Sequence, residues 1–372
     1  LDAHPPALNV AALVGHGSLR LDAMGDARRE PTTGEMQKMK AGLREGLEAG
    51  AVGLSTGLIY EPGRHARTDE IVELAAEMSG TGALYATHMR DEGARLLESV
   101  AEAVEIGERA GVPVQISHHK ASGRENWGRV RESLALIEAA QARGLDVHAD
   151  QYPYTAGSTI LAAIVQNDGL RGRPGRAGGV GRIDPGDVVI ASTRSHPDWE
   201  GRSIADFAEK WSLPAADAAD RVLAEEPLAT IVMHSMSEDD VRTVLRHPST
   251  MIGSDGIPSI EGRPHPRLYG TFARVLGHYA RDLGLLPLAE AVYRMTGFPA
   301  RKFGLVDRGA VREGAVADLV VFDPGSVIDV GTYQDPKHPP RGISHVFVAG
   351  RHAVRDARQT SERAGRALRR AS

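Results

Sequence analysis

Three short stretches put a group capable of chemistry at the end of an apolar run: His88 in LYATHMR, the pair His118 and His119 in VQISHHK, and Asp255 in MIGSDG. Imidazole nitrogen is a common Zn²⁺ donor, and zinc with an open position turns water into a nucleophile near neutral pH. A carboxylate beside that water can take its proton and pass it to a leaving group. Two histidines and an aspartate at one mouth therefore suit metal-assisted hydrolysis. A lone strand-end histidine is more often a hydrogen-bonded packing residue; recurrence on successive strands favours the metal reading. Side chains alternate along a strand, so Val114, Ile116 and His118 share one face while Gln115, Ser117 and His119 share the other. Parallel strands are buried on both faces, so parity alone does not choose, and the aliphatic set favours His118.

The elements that must position these groups follow a rhythm. Strand-like runs at 9–17, 51–58, 83–90, 112–119 and 145–154 alternate with amphipathic segments at 35–50, 68–82, 93–111 and 127–144. Apolar residues at three- and four-residue spacing, and glycines closing the segments, mark helices. Strand and helix repeating in this way indicates βαβ units and a parallel sheet. The expected class is α/β, a (β/α)₈ barrel, with active-site groups at the C-terminal ends of the strands. MIGSD (251–255) reads as a further barrel strand, and 288–304 as a helix closing that layer. The stretch from about 155 to 250 breaks the rhythm and reads as an insertion after the YPY strand, with strand-like VVIAS and TIVMHSM and a Gly/Arg-rich loop at 171–182. From 305 to 372 short strands and turns indicate a small β domain ending in a loosely held, Arg-rich tail. The expected division is thus a barrel over 1–304, with its insertion, and a β domain over 305–372.

Composition narrows the function. A formal net charge of −5 over 372 residues leaves no basic excess for nucleic acid. The Arg clusters RGRPGR (171–176) and RALRR (366–370) read as solvated. With no cysteine, neither a disulfide framework nor a thiolate metal site within this chain is expected. No apolar run approaches the ~18 residues of a membrane span, and no signal peptide opens the chain, so a cytoplasmic location is the default expectation.

GHGSLR (15–20), GLSTGLIYEPG (53–63), YATHMRDEG (85–93), QISHHK (115–120), DQYPYTAGST (150–159), IGSDG (252–256) and HPRLYGTFARVLG (265–277) occur in register along the chain. Together they resemble the D-aminoacylases, N-acyl-D-amino-acid deacylases of the amidohydrolase superfamily. EGAVADLVVFDP looks like the superfamily's β domain. The resemblance implies that His88 and His118 are zinc ligands and that Asp255 is the catalytic acid/base. It implies that Lys120, Tyr152 and Arg267 bind the substrate carboxylate or shape its pocket, with Tyr154 a rival to Tyr152 and Lys120 open to a supporting role. Arginine offers a planar fork for such a carboxylate. Gly53 and Gly57 are expected to permit close backbone approach, and no lysine on their strand could bridge two metals. His16 divides between pocket-lining and packing. His265 is placed at the pocket mouth and His234 in the insertion, while Arg90, Asp91 and Glu92 either orient His88 or start a helix.

The resemblance also sets a departure. Members begin well before this chain does, with part of the β domain, a strand carrying a His-x-His pair and a strand carrying a cysteine ligand; LDAHPPALNVAALVGHG matches neither. The expectation is an N-terminally truncated chain whose open strand edges invite association and which alone binds zinc weakly and turns over little. The rivals are another amidohydrolase, such as a dipeptidase or cyclic-amide hydrolase, and a non-catalytic remnant that binds a small acid or a partner chain.

Overall fold

Alternating apolar runs and amphipathic segments fold into a parallel sheet backed by helices. The structure, a computed structural model, describes residues 3–170, 179–259 and 261–369. In chain order the strands are β1 (Val10–Ala11), β2 (Val14–Gly15), β3 (Gly53–Gly57), β4 (Leu84–His88), β5 (Val114–Ile116), β6 (Val147–Gln151), β7 (Gly157–Ile160), β8 (Val188–Ser192), β9 (Thr230–Met233), β10 (Thr250–Ile252), β11 (Leu319–Phe322), β12 (Ile343–Val348), β13 (Arg351–Arg355), β14 (Arg358–Gln359) and β15 (Ala367–Leu368). Among the described residues, six of these form one parallel sheet in the order β10-β6-β5-β4-β3-β2. From β2 to β6 sequential strands lie side by side, joined through helices, and β10 adds beyond β6 after the intervening three-stranded sheet. Those helices span Thr33–Glu48, Thr68–Ala75, Leu96–Ala110 and Val130–Ala142, matching the amphipathic segments.

Local chemistry explains the boundaries. Thr32 and Glu35 form a reciprocal capping box that starts the 33–48 helix. Gly111, in the left-handed conformation, stops the helix at Ala110 and turns the chain into β5. A Cβ on Gly53 would sit 2.0 Å from the Leu84 carbonyl oxygen, so only glycine lets β3 approach β4. Val100, Ile106, Val114, Ile116, Ile137 and Val147 form the interior between sheet and helices.

Several expectations needed revision. The apolar run 9–17 is two short strands, not one: β2 joins the parallel sheet, while β1 pairs in parallel with β15. That pairing also corrects the loose tail, because Ala367 and Leu368 are held against Val10 and Ala11. The helix expected over 288–304 breaks at Thr296, whose φ of −133° and ψ of −86° separate Leu288–Met295 from Gly297–Lys302. The insertion carries three strands, an antiparallel sheet ordered β7-β9-β8. Leu161, Ile164, Val188, Ile190, Phe207 and Ile231 form its own apolar core. The RGRPGR cluster lies outside the described residues.

Strands β11 to β14 make the small antiparallel sheet expected after residue 305. Between β11 and β12 the chain returns to the barrel: Val327 is fully buried there, and Asp329 pairs with Arg274 at 3.2 Å and accepts from the Tyr154 hydroxyl at 3.2 Å. Among the described residues no helix is long and apolar enough to cross a membrane.

Candidate active site

The C-terminal ends of β3, β4, β5 and β6 open onto one cavity of about 390 Å³. All six residues singled out from the sequence line it: His88, His118, Lys120, Tyr152, Asp255 and Arg267. Glu92, Tyr60, Ser158 and Thr159 line it with them, and Ile59, Ala163, Val180 and Met233 supply an apolar wall.

His88 is the last residue of β4, as expected, but His118 and Asp255 lie beyond their strands. β5 ends at Ile116 and β10 at Ile252, and both residues adopt positive φ, 39° and 47°. Parity along β5 therefore does not reach His118; a tight turn selects it. Such a conformation costs a non-glycine residue about 1–3 kcal/mol and persists where neighbours enforce it. Here the His118 N–H donates to Asp150 Oδ1 and the His119 N–H to the Asp150 carbonyl, each at 2.8 Å. The turn sends His118 into the cavity and His119 the other way, where its Nε2 lies 2.8 Å from Ser133 Oγ on the 130–142 helix.

His88 Nδ1 stands 3.0 Å from His118 Nε2, and the His88 Nε2 atom is buried with no hydrogen-bond partner. Two donors on one tetrahedral zinc sit about 3.3 Å apart, given metal–nitrogen distances of about 2.0–2.1 Å. Desolvation drives His88 down to about 3, so its ring is neutral and offers a lone pair. Glu92 is the residue that sequence reasoning left undecided. His88, Glu92 and His118 each bring a ligand atom within 4.8 Å of the others and could hold a metal ion. Two imidazoles and a carboxylate are a donor set suited to zinc. Lys120 Nζ presses on this group, 2.5 Å from Glu92 Oε1 and 2.8 Å from His118 Nδ1. Burial opposes ionisation of Glu92, yet the Lys120 ammonium and the two imidazoles hold its carboxyl well below the usual range.

The opposite wall is built on Tyr152. The Arg267 guanidinium stands 4.5 Å from its ring centroid and Lys120 Nζ 5.8 Å, both within cation–π range. Arg267 Nη1 forms an ion pair with Asp255 Oδ2 at 2.8 Å, and its Nη2 donates to the Ser158 carbonyl at 3.2 Å. Tyr154 does not line this cavity; it packs against His265 and Tyr333. His265 is buried behind the wall, its Nε2 2.8 Å from the Ala156 carbonyl while its Nδ1 accepts the Arg267 N–H at 3.0 Å. His16 is a packing residue, fully buried against Glu70 at 2.8 Å. Arg90 holds Glu102 and Asp91 caps the Gly93 N–H, so neither touches His88.

A parallel sheet with an imidazole pair, a carboxylate and buried cations at its C-terminal edge is the arrangement of a metal-dependent hydrolase, and residues 130–354 match the family model described as Amidohydrolase family. A D-aminoacylase of Alcaligenes xylosoxydans xylosoxydans is 44% identical over 368 residues, 99% of this chain and 72% of that protein. An N-acyl-D-glutamate deacylase from the same organism is 43% identical over 370 residues, 100% of this chain and 71% of its own length. Among solved structures, the N-acyl-D-glutamate deacylase of Bordetella bronchiseptica, complexed with zinc and a phosphonate mimic of the tetrahedral intermediate, superposes with a TM-score of 0.88 at 41% identity, covering 99% of this chain and 73% of that one. The chain belongs to the D-aminoacylase family of amidohydrolases.

Proposed function

We propose that the chain hydrolyses N-acyl-D-amino acids to a carboxylate and a free D-amino acid, with zinc as the cofactor. One observation carries the reading: the imidazole pair, the acidic residue Asp255 and two buried cations face a single cavity large enough for such a substrate. Zinc held at His88 and His118 would polarise the scissile carbonyl and lower the pKa of the attacking water. Asp255 takes a proton from that water on a carboxylate oxygen and returns it to the amide nitrogen as the C–N bond breaks. Arg267 receives the substrate α-carboxylate in its planar fork, with Lys120 and the Tyr152 hydroxyl beside it. Arg267 is paired with Asp255, so an arriving carboxylate exchanges one acidic partner for another. The same reading divides the chain near residue 304 into a catalytic barrel with its insertion and a C-terminal β domain.

The test is a panel of N-acetyl-D- and N-acetyl-L-amino acids assayed with zinc-loaded and chelated protein. Turnover restricted to the D-series and dependent on zinc is expected. Turnover of L-substrates or of cyclic amides in preference would replace this reading with another amidohydrolase activity.

A further inference from the structure

We propose that Glu92 is a positioning residue that sets which nitrogen of His118 faces the metal; the proposal rests on the zinc reading above. The geometry assigns the two ring nitrogens different neighbours. Nε2 faces His88 Nδ1 at 3.0 Å, while Nδ1 lies 3.0 Å from Glu92 Oε1. The nitrogens of an imidazole point apart, and the bond made by one decides the state of the other. A neutral ring carries one proton. Once Nε2 is given to a cation, that proton must sit on Nδ1, where Glu92 accepts it. A carboxylate at this position fixes the plane of the ring and raises its basicity.

Glu92 is built to wait there. It is 3% exposed, against 8% for His118 and 5% for Lys120. Its carboxylate is anchored by Lys120 Nζ at 2.5 Å. Its backbone is tied on both sides, the N–H to the Gly179 carbonyl at 3.0 Å and the carbonyl to the Ser122 N–H at 2.7 Å. Lys120 Nζ also stands 2.8 Å from His118 Nδ1, so this end of the ring meets the Lys120–Glu92 pair while Nε2 is directed at His88. Glu92 therefore acts through His118 and not as a metal ligand.

The experiment is nitrogen-15 NMR of the histidine rings in the wild-type chain, metal-free and zinc-loaded, with chelator competition and X-ray absorption on Glu92→Gln. The zinc-loaded wild type is expected to carry the His118 proton on Nδ1. Glu92→Gln is expected to keep its zinc content and its count of nitrogen and oxygen neighbours, with affinity about 10–100-fold weaker. A zinc-loaded His118 protonated on Nε2 overturns the proposal. So does an affinity unchanged within twofold, and so does loss of an oxygen neighbour, which would make Glu92 a ligand. If Glu92→Gln does not fold, the wild-type spectra decide alone. Wild-type protein that takes up no zinc defeats the metal reading itself and this proposal with it.

Discussion

Replacing Glu70 by Gln should weaken the fold more than any other conservative change to a carboxylate in the barrel. Glu70 Oε1 lies 2.8 Å from His16 Nε2, and its two oxygens lie 2.7 and 2.5 Å from Arg20 Nη1. The side chains of His16 and Arg20 are both fully buried, and that of Glu70 is 3% exposed. Among the described residues Arg20 has only the Arg29 carbonyl, at 2.8 Å, and a longer contact with Ala27 as further acceptors. Gln keeps the shape but strands the guanidinium without a counter-charge. Removing one partner of a buried ion pair costs about 3–5 kcal/mol, because the remaining charge stays desolvated. Removing both partners should recover most of that loss, so a cycle with Arg20→Met, Glu70→Leu and the double variant isolates the coupling. The pH dependence has a definite sign. Burial opposes ionisation of Glu70, but His16 and Arg20 hold its pKa below the ordinary value. Its contribution is therefore complete above the unfolded value of about 4.3 and is lost as the pH falls through the lower folded value. Urea unfolding of wild type and Glu70→Gln from pH 7 downward measures both effects. A difference below about 1 kcal/mol at pH 7, or a gap that widens in acid, would refute the reasoning.

Asp255→Asn should cut kcat by about 10²–10⁴-fold or more while zinc content is retained, checked by metal analysis beside steady-state kinetics; retained turnover would remove Asp255 from the proton transfers. Arg267→Lys should raise KM for N-acetyl-D-amino acids by about tenfold or more, since a point charge replaces a fork stacked on Tyr152 and bonded to Ser158. An unchanged KM would place the substrate carboxylate elsewhere. Lys120 and Arg267 are already paired with Glu92 and Asp255, and Ile59, Ala163, Val180 and Met233 offer no charge. N-acetyl-D-leucine should therefore exceed N-acetyl-D-glutamate in kcat/KM by about tenfold or more, since a second buried carboxylate finds no spare cation among the described residues. The reverse preference would show that a cation reaches that wall.

Much of the scaffold was legible because period does not depend on distant contacts. Helical spacing at Leu96, Val100 and Val104 and the glycine at 111 mark a helix whatever packs on it. His88 was legible for the same reason, since its strand runs unbroken to it. The cavity is lined by His118 rather than His119, but the alternation that favours it stops two residues short; the turn depends on Asp150, 32 positions away. Glu92 stayed hidden because the sequence around it, RDEG, reads equally as a helix start. Its partners at 118 and 120 declare themselves only when β4 and β5 lie side by side. The β1–β15 pairing was illegible because two-residue strands have no period to detect. A mark that would have helped with Glu92 is its spacing: a carboxylate four residues after one strand-end histidine, and a lysine two after the next.

The charged groups of the cavity descend mostly from the parallel sheet, whereas Ala163, Val180 and Met233 descend from the insertion with its own core. The two surfaces rest on different cores and are stitched together where the Glu92 N–H bonds the Gly179 carbonyl and Arg267 bonds the Ser158 carbonyl. Side-chain substitutions on the insertion's apolar wall can reshape what the cavity accepts while the Asp150 bond that turns His118 into the cavity stays within the barrel.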